Sequence, residues 1–245
     1  MKKLIVANWK MNPARGADAK KLFKSVRASA LKLKNVETVI CPPLVYLQSL
    51  GDEVTSRNCV VGAQDAFWEH AGAYTGQVSP DMIFNARGRY VIVGHSERRA
   101  MGDTDEIIRK KLKSILQFPL IPILCVGEQS RDEDSQYVKF VKQQVTNALS
   151  ALSQEEVSRM VIAYEPIWAI GKNAVRPCTS NECSDMAMAI RQALADLLKN
   201  TQDAAKIPIL YGGSADVENT QEFLQDGSVQ GLLVGRASLD SKEFI

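Results

Sequence analysis

Eight short apolar runs, each followed by a segment of helical period, repeat along the 245-residue chain at intervals of roughly thirty residues. The runs are Leu4–Ala7, Thr38–Cys41, Cys59–Ala63, Val91–Val93, Leu120–Leu124, Val161–Tyr164, Ile207–Tyr211 and Gly231–Val234. Most are continuous, without polar alternation, which suits strands buried on both faces. Pro122 and Pro208 fall near strand starts, where a missing N–H does least damage. Alternation makes the strands parallel, because each crossover needs a helix to bring the chain back. A doubly wound open sheet satisfies the same pattern. Eight units in this length favour a closed (β/α)8 barrel, with residues 1–245 as one domain.

Helix signals fill the gaps. Ser130 with Glu133, and Thr179 with Glu182, fit capping boxes, in which a hydroxyl and a carboxylate satisfy orphan N–H groups reciprocally. Asp103 with Glu106 offers a similar start. Cys183, Ala187, Ile190, Leu194 and Leu197 fall on one helical stripe, as do Tyr137, Val141, Val145, Ala148 and Leu152. Leu22, Val26, Ala30 and Leu33 form a third near the N-terminus.

Thirty Lys and Arg against 28 Asp and Glu leave a net charge of +2, too small to argue for a nucleic-acid partner. No apolar run approaches the ~18–20 residues of a membrane span, and the run after Met1-Lys2-Lys3 is short. A cytoplasmic chain with no membrane partner is the expectation. Five cysteines, an odd number without CxxC spacing, read as reduced structural thiols. With only His70 and His95, a His-rich metal site is excluded, and no metal is expected. No dinucleotide or Walker fingerprint appears, so no cofactor is expected either.

In a barrel of this kind the chemistry sits where the strands end. Asn8-Trp9-Lys10 follows the first strand, and residues two apart in extended chain would put Asn8 and Lys10 on one face. Lys10 supplies a cation for an anionic ligand, or is simply a solvated strand-end lysine. Gly94-His95-Ser96-Glu97-Arg98-Arg99 follows the fourth. Helix N–H groups beside His95 disfavour an imidazolium and suit a neutral ring that polarises a carbonyl. Glu97 and Arg98 by themselves read as an ion pair. Tyr164-Glu165-Pro166-Ile167-Trp168-Ala169-Ile170-Gly171 follows the sixth. It offers a carboxylate placed for general-base work and an apolar segment, Pro166 to Gly171, that makes sense as a lid. Tyr211-Gly212-Gly213-Ser214 and Val234-Gly235-Arg236-Ala237-Ser238 follow the last two strands, where barrels commonly bind phosphate through backbone N–H groups. One base, one electrophile, one lysine and a phosphate cradle suit proton abstraction beside the carbonyl of a small phosphorylated compound.

These segments, with Gly62-Ala63-Gln64-Asp65 and Cys125-Val126-Gly127-Glu128, occur in an order that closely resembles the triosephosphate isomerase family over nearly the whole chain. The resemblance implies a TIM-barrel isomerase that interconverts dihydroxyacetone phosphate and glyceraldehyde 3-phosphate without a cofactor. It implies that Glu165 moves a proton between carbons, and that neutral His95 serves the oxygens of the enediolate. Lys10 and Asn8 would stabilise developing negative charge, Glu97 would anchor Lys10 or relay protons, and Ser96 would hold Glu165 before the lid closes. Gly171, Ser214, Gly235 and Arg236 would grip the phosphate through backbone N–H groups, while Ile170 and Leu233 would press on Glu165. The loop Gly72-Ala73-Tyr74-Thr75-Gly76 matches the family segment that reaches into a partner, implying a homodimer with Thr75 near the partner's site. Another phosphosugar isomerase on the same barrel, or a non-catalytic phosphate-ligand binder, is the competing reading.

Four departures from the family pattern bear on function. Gly171-Lys172-Asn173-Ala174 makes the lid one residue shorter than usual. Arg236 replaces the second of two glycines; its N–H can still donate, and its side chain either adds charge near the phosphate or points outward, the latter being the expectation. Gln77 replaces a glutamate that usually pairs with Arg98, which is expected to loosen the neighbouring loop. The sequence stops at Ile245, so a last helix of about two turns is expected.

Overall fold

The computed structural model describes residues 2–132, 134–171 and 174–244. Its strands are β1 (Lys3–Asn8), β2 (Val36–Cys41), β3 (Cys59–Ala63), β4 (Gly88–Val93), β5 (Ile121–Val126), β6 (Val161–Tyr164), β7 (Ile209–Tyr211) and β8 (Gly231–Val234). Neighbours in sequence are neighbours in the sheet, β1 closes on β8, and every pairing is parallel. The open doubly wound sheet is thereby ruled out. Each apolar run holds a strand, although β4 begins at Gly88 and β7 only at Ile209, just past Pro208.

The chain returns through α1 (Gly16–Ala30), α2 (Leu44–Gly51), α3 (Pro80–Asn85), α4 (Ser96–Ala100), α5 (Asp105–Ile115), α6 (Gln136–Leu149) and α7 (Gln154–Ser158). The remaining helices are α8 (Ser180–Leu198), α9 (Thr201–Lys206), α10 (Thr220–Asp226) and α11 (Ser241–Phe244). Thr179 caps α8 with the expected box: its hydroxyl accepts the Glu182 N–H, and the Glu182 carboxylate accepts the Thr179 N–H at 2.9 Å.

Two other expected starts are corrected. Thr104, not Asp103, caps α5, its hydroxyl accepting the Ile107 N–H. Asp103 is buried and instead takes the Lys111 ammonium at 2.6 Å, because a buried cation without carboxylates would be far costlier than a changed cap. Helix α6 begins after Ser135 rather than beside Ser130, with Asp132 Oδ1 accepting the Gln136 N–H at 2.7 Å; Glu133, the expected partner of Ser130, lies outside the described residues. The first stripe also changes. Helix α1 ends at Ala30, Leu33 is exposed beyond it, and Phe23 takes the core position. On α6 and α8 the stripes hold: Val141, Val145, Ala148, Cys183, Ala187, Ile190 and Leu194 are buried. At the end of the chain, α11 makes one turn where two were expected, and Ile245 lies outside the described residues.

Strand parity sorts the core into two layers. Leu4, Val6, Val39, Cys41, Val60, Tyr90, Ile92, Ile123, Cys125, Val161, Ala163, Leu210 and Leu233 pack together inside the barrel. Their alternates, among them Ala7, Ile40, Val61, Val91, Leu124, Ile162, Ile209 and Leu232, pack against the helices. Both faces are apolar, so the strands read as unbroken runs. All five cysteines are unpaired and buried.

Candidate active site

The same parity aims the functional positions. Leu4 and Val6 point into the barrel, so Asn8 at the end of β1 does too; Val161 and Ala163 carry the pattern to Glu165, Leu210 to Gly212, and Leu233 to Gly235. All four line one cavity of about 330 Å3 at the C-terminal mouth, together with Lys10, His95, Ile170, Gly171, Ser214 and Arg236.

His95 reaches the mouth differently. Gly94, at φ +72°, turns the chain out of β4, and His95 becomes the N-cap of α4. Its Nδ1 accepts the Glu97 N–H at 3.2 Å, which assigns the ring proton to Nε2 and leaves the imidazole neutral. Nε2 lies 3.2 Å from Glu165 Oε1, while Glu165 Oε2 accepts the Ser96 N–H at 3.0 Å. Ser96 thus touches the carboxylate through its backbone. Glu165 is only 2% exposed. A Cβ at Gly212 would sit 2.9 Å from the Glu165 Cγ, so glycine is what lets the carboxylate lie there. Beneath it, burial first and then the Glu165 charge push the Cys125 thiol well above its usual range, which keeps it protonated.

Lys10 reaches the site by another route than the one its spacing implied. Strand β1 stops at Asn8, and Lys10 adopts a left-handed φ of +52°, a conformation a non-glycine residue holds only with support. Asn8 Oδ1 accepts the Lys10 N–H at 3.0 Å, and Gln64 Nε2 donates to the Lys10 carbonyl at 2.8 Å and to that of Cys41 at 2.9 Å. The Asn8 oxygen being used, its amide N–H groups remain for the cavity. The Lys10 ammonium lies 2.7 Å from Glu97 Oε1, as an anchoring role for Glu97 requires.

The segment after β6 folds as a 3-10 turn, Ile167–Ala169, over the cavity edge. Trp168 Nε1 donates to the buried Glu128 Oε1 at 2.7 Å, the Ile167 N–H to the Glu128 carbonyl at 3.0 Å, and Ser214 Oγ to the Ala169 carbonyl at 2.9 Å. Gly171 carries φ +73°. Lys172 and Asn173, where the lid departs from the family pattern, lie outside the described residues.

A second 3-10 turn, Arg236–Leu239, follows β8. Its fold pins the Gly235 carbonyl, which accepts the Ser238 N–H at 2.9 Å and the Ser238 hydroxyl at 2.6 Å. In a trans peptide the N–H opposes the C=O, so the Arg236 N–H faces away from the turn. The Arg236 side chain is exposed and stands among the residues that line the cavity.

Comparison with known proteins decides the family. Its sequence profile, described as triosephosphate isomerase, matches residues 3–245. The chain belongs to the triosephosphate isomerase family. It is 39% identical over 243 residues to the triosephosphate isomerase of Thermoanaerobacter pseudethanolicus, covering 98% of this chain and 96% of that one. The enzyme of the same name from Dictyoglomus turgidum is 38% identical over 245 residues, covering 99% and 97%. That of Dehalococcoides mccartyi is 39% identical over 247 residues, covering 100% and 95%.

Several residues that support this candidate site had no role assigned from sequence, although Gln64 and Glu128 lie in segments that carry the family resemblance. Gln64 holds the Lys10 backbone. Glu128 gathers the Tyr164 hydroxyl at 2.8 Å, the Trp168 indole and the Arg131 Nε at 3.3 Å. Arg131 and Arg176 flank the Trp168 ring at 4.9 and 4.6 Å, and both reach Glu182. The capping pattern had revealed Glu182, but only as a helix start. Gln77 leaves Arg98 with partners in its own chain, Asp65 at 3.0 Å and Asp103 at 3.4 Å. Among the described residues, no group of three His, Cys, Asp or Glu is placed to hold a metal ion, and no helix is long and apolar enough to cross a membrane.

The segment after β6 is therefore tied, through Arg176, to the acid–base state of Glu182. The Arg176 hydrogen bond, helped by the Thr179 N–H, lowers its pKa to about 2. Against an unfolded value of ~4.3, this interaction stabilises the fold fully above that pH and is lost as the pH falls through about 2. Thermal unfolding of the wild type and Glu182→Gln should show its widest gap at neutral pH, closing as the pH drops through this window. A gap independent of pH would mean that the charge is not what matters.

Proposed function

We propose that this cavity interconverts dihydroxyacetone phosphate and glyceraldehyde 3-phosphate through an enediolate, without a cofactor. The observation that carries the reading is the approach of His95 Nε2 to within 3.2 Å of Glu165 Oε1, between residues seventy apart in sequence, inside a cavity edged by glycine turns. In this reading Glu165 takes a proton from one carbon and returns it to its neighbour. The His95 Nε2–H polarises the carbonyl and then serves both oxygens as charge moves between them. Lys10 contributes its field, Asn8 its amide N–H groups, and Glu97 fixes Lys10 in place. Before substrate binds, the Ser96 N–H holds Glu165; after closure, Ile170 and the buried Leu233 exclude water around it. The phosphate dianion meets the backbone N–H groups of Gly171, Ser214, Gly235 and Arg236.

A cavity of about 330 Å3 suits a triose phosphate. A coupled assay with glyceraldehyde 3-phosphate tests the reading, and a panel of larger phosphosugars tests its specificity. No turnover of the triose would end it.

A homodimer fits the surface beside the site. A second cavity of about 410 Å3 opens on the other side of Lys10 and His95, lined by Met11, Phe67 and Met101. Met11 and Met101 are 92% and 73% exposed, and two large apolar side chains left in water beside the site support an interface there. Thr75, on the exposed loop Gly72–Gly76, would occupy the partner's copy of this cavity. Sedimentation at micromolar concentration should give twice 27.0 kDa; a single-chain mass would remove the dimer. Soluble triose substrates and unpaired thiols fit a cytoplasmic enzyme, and the reading needs neither nucleic acid nor membrane.

A further inference from the structure

Among the described residues, the charged side chains lining the candidate active-site cavity are Lys10, Glu165, Asp216, Arg236 and Glu243. Lys10 is ion-paired with Glu97 at 2.7 Å, and its Cε stands beside Gly235. Among the described residues the other charges around the glycine turns are the carboxylates of Asp216 and Glu243 and the guanidinium of Arg236. Without Arg236, Lys10, already paired with Glu97, would face two acids before a ligand that is itself a dianion. Backbone N–H groups must then overcome both, and the local helices do little to help. The turn after β8 is a 3-10 turn of four residues, and α10 does not begin until Thr220, well beyond Ser214. Neither aims a long helix dipole at the phosphate position.

Arg236 is exposed, and among the described residues its guanidinium has neither a carboxylate within 4.0 Å nor a hydrogen-bond acceptor. It stands next to Gly235, whose pinned carbonyl fixes where the Arg236 Cα sits relative to the cavity. A planar guanidinium on a flexible stem, uncommitted in the free protein, suits bidentate capture of a phosphate edge.

We propose that the Arg236 side chain closes onto the substrate phosphate, adding a specificity-determining guanidinium contact to a cradle otherwise made of backbone N–H groups. This rests on the function proposed above. The guanidinium offsets Asp216 and Glu243, and it favours the dianion over neutral or singly charged analogues of similar size.

Steady-state kinetics with glyceraldehyde 3-phosphate, and inhibition by inorganic phosphate, are compared for the wild type, Arg236→Gly and Arg236→Lys. At low ionic strength Arg236→Gly should raise both KM and the phosphate inhibition constant roughly tenfold, with a much smaller change in kcat. At ~0.3 M salt the gap should shrink, because the contact is made at a solvent-facing rim. Arg236→Lys should recover part of the loss, since it restores the charge but not the fork. If Arg236→Gly matches the wild type in KM and phosphate inhibition at low salt, the side chain plays no such part. If the wild type itself fails to isomerise the triose, the functional reading fails instead.

Discussion

Glu165→Gln is expected to lower kcat by at least ~10³ while leaving KM within a fewfold of its original value. Two losses combine in that figure. The amide cannot accept a proton from carbon, so the general base is gone. It also fits the pocket badly. One carboxylate oxygen accepts the Ser96 N–H at 3.0 Å, and the other lies 3.2 Å from His95 Nε2. A carboxylate satisfies both, whereas an amide has one acceptor end and must turn its NH2 toward one donor. At 2% exposure no solvent shell relieves that clash. The side chain must shift, and the surviving contact with substrate is misplaced as well as inert. Phosphate binding, being made elsewhere, is spared, which is why KM changes little. The check is steady-state turnover together with exchange of the substrate's carbon-bound proton into deuterated water, followed by proton NMR. Both should fall together. Near-normal turnover, or exchange that persists at the wild-type rate, would remove Glu165 from the mechanism.

What could be read without coordinates depended on periodicity. The apolar runs placed Asn8, Glu165, Gly212 and Gly235 at or just past strand ends, but unalternating runs do not say which face is inward; that came from the barrel, where Leu4 and Val6, Val161 and Ala163, Leu210, and Leu233 pack inside. Helical period identified the buried stripes of α6 and α8. Where the period breaks, the reading loses its basis. Lys10 arrives through a left-handed turn, not through extended alternation, and the turn stands only because Asn8 and Gln64 bind its two backbone groups. Gln64 lies more than fifty residues away, and no local pattern couples it to Lys10. Glu128 and Glu182 escape for the same reason: each matters through partners brought in by the barrel's closure. Asp103 shows the opposite failure. Its local pattern was that of a helix cap, but a buried lysine took the carboxylate, and the neighbouring Thr104 supplied the cap. Local propensity yields where tertiary electrostatics are stronger.

The same dependence on distant partners governs the lid, and it sets the second large effect. Removing Ala169 to Gly171 should lower turnover by at least ~10² and cause the enzyme to release methylglyoxal. The anchor of the segment would survive, since Trp168 stays bound to Glu128 at 2.7 Å between two guanidinium groups. What disappears is the reach across the cavity: the Ser214 hydroxyl bond to the Ala169 carbonyl at 2.9 Å, the apolar Ile170, and the N–H of Gly171. An enediolate carrying phosphate on the next carbon expels that phosphate when the C–O bond swings out of the enediolate plane into overlap with the π system. In the proposed mechanism the intact segment holds the phosphate in the plane and keeps water out, so protonation at carbon outruns elimination. Without it the intermediate forms more slowly and is partitioned toward the wrong product. The ratio of methylglyoxal to isomerised triose is therefore the decisive readout, because a merely unstable variant would lose both products in proportion. Should the shortened enzyme release no more methylglyoxal per turnover than the intact one, the segment does not guard the intermediate.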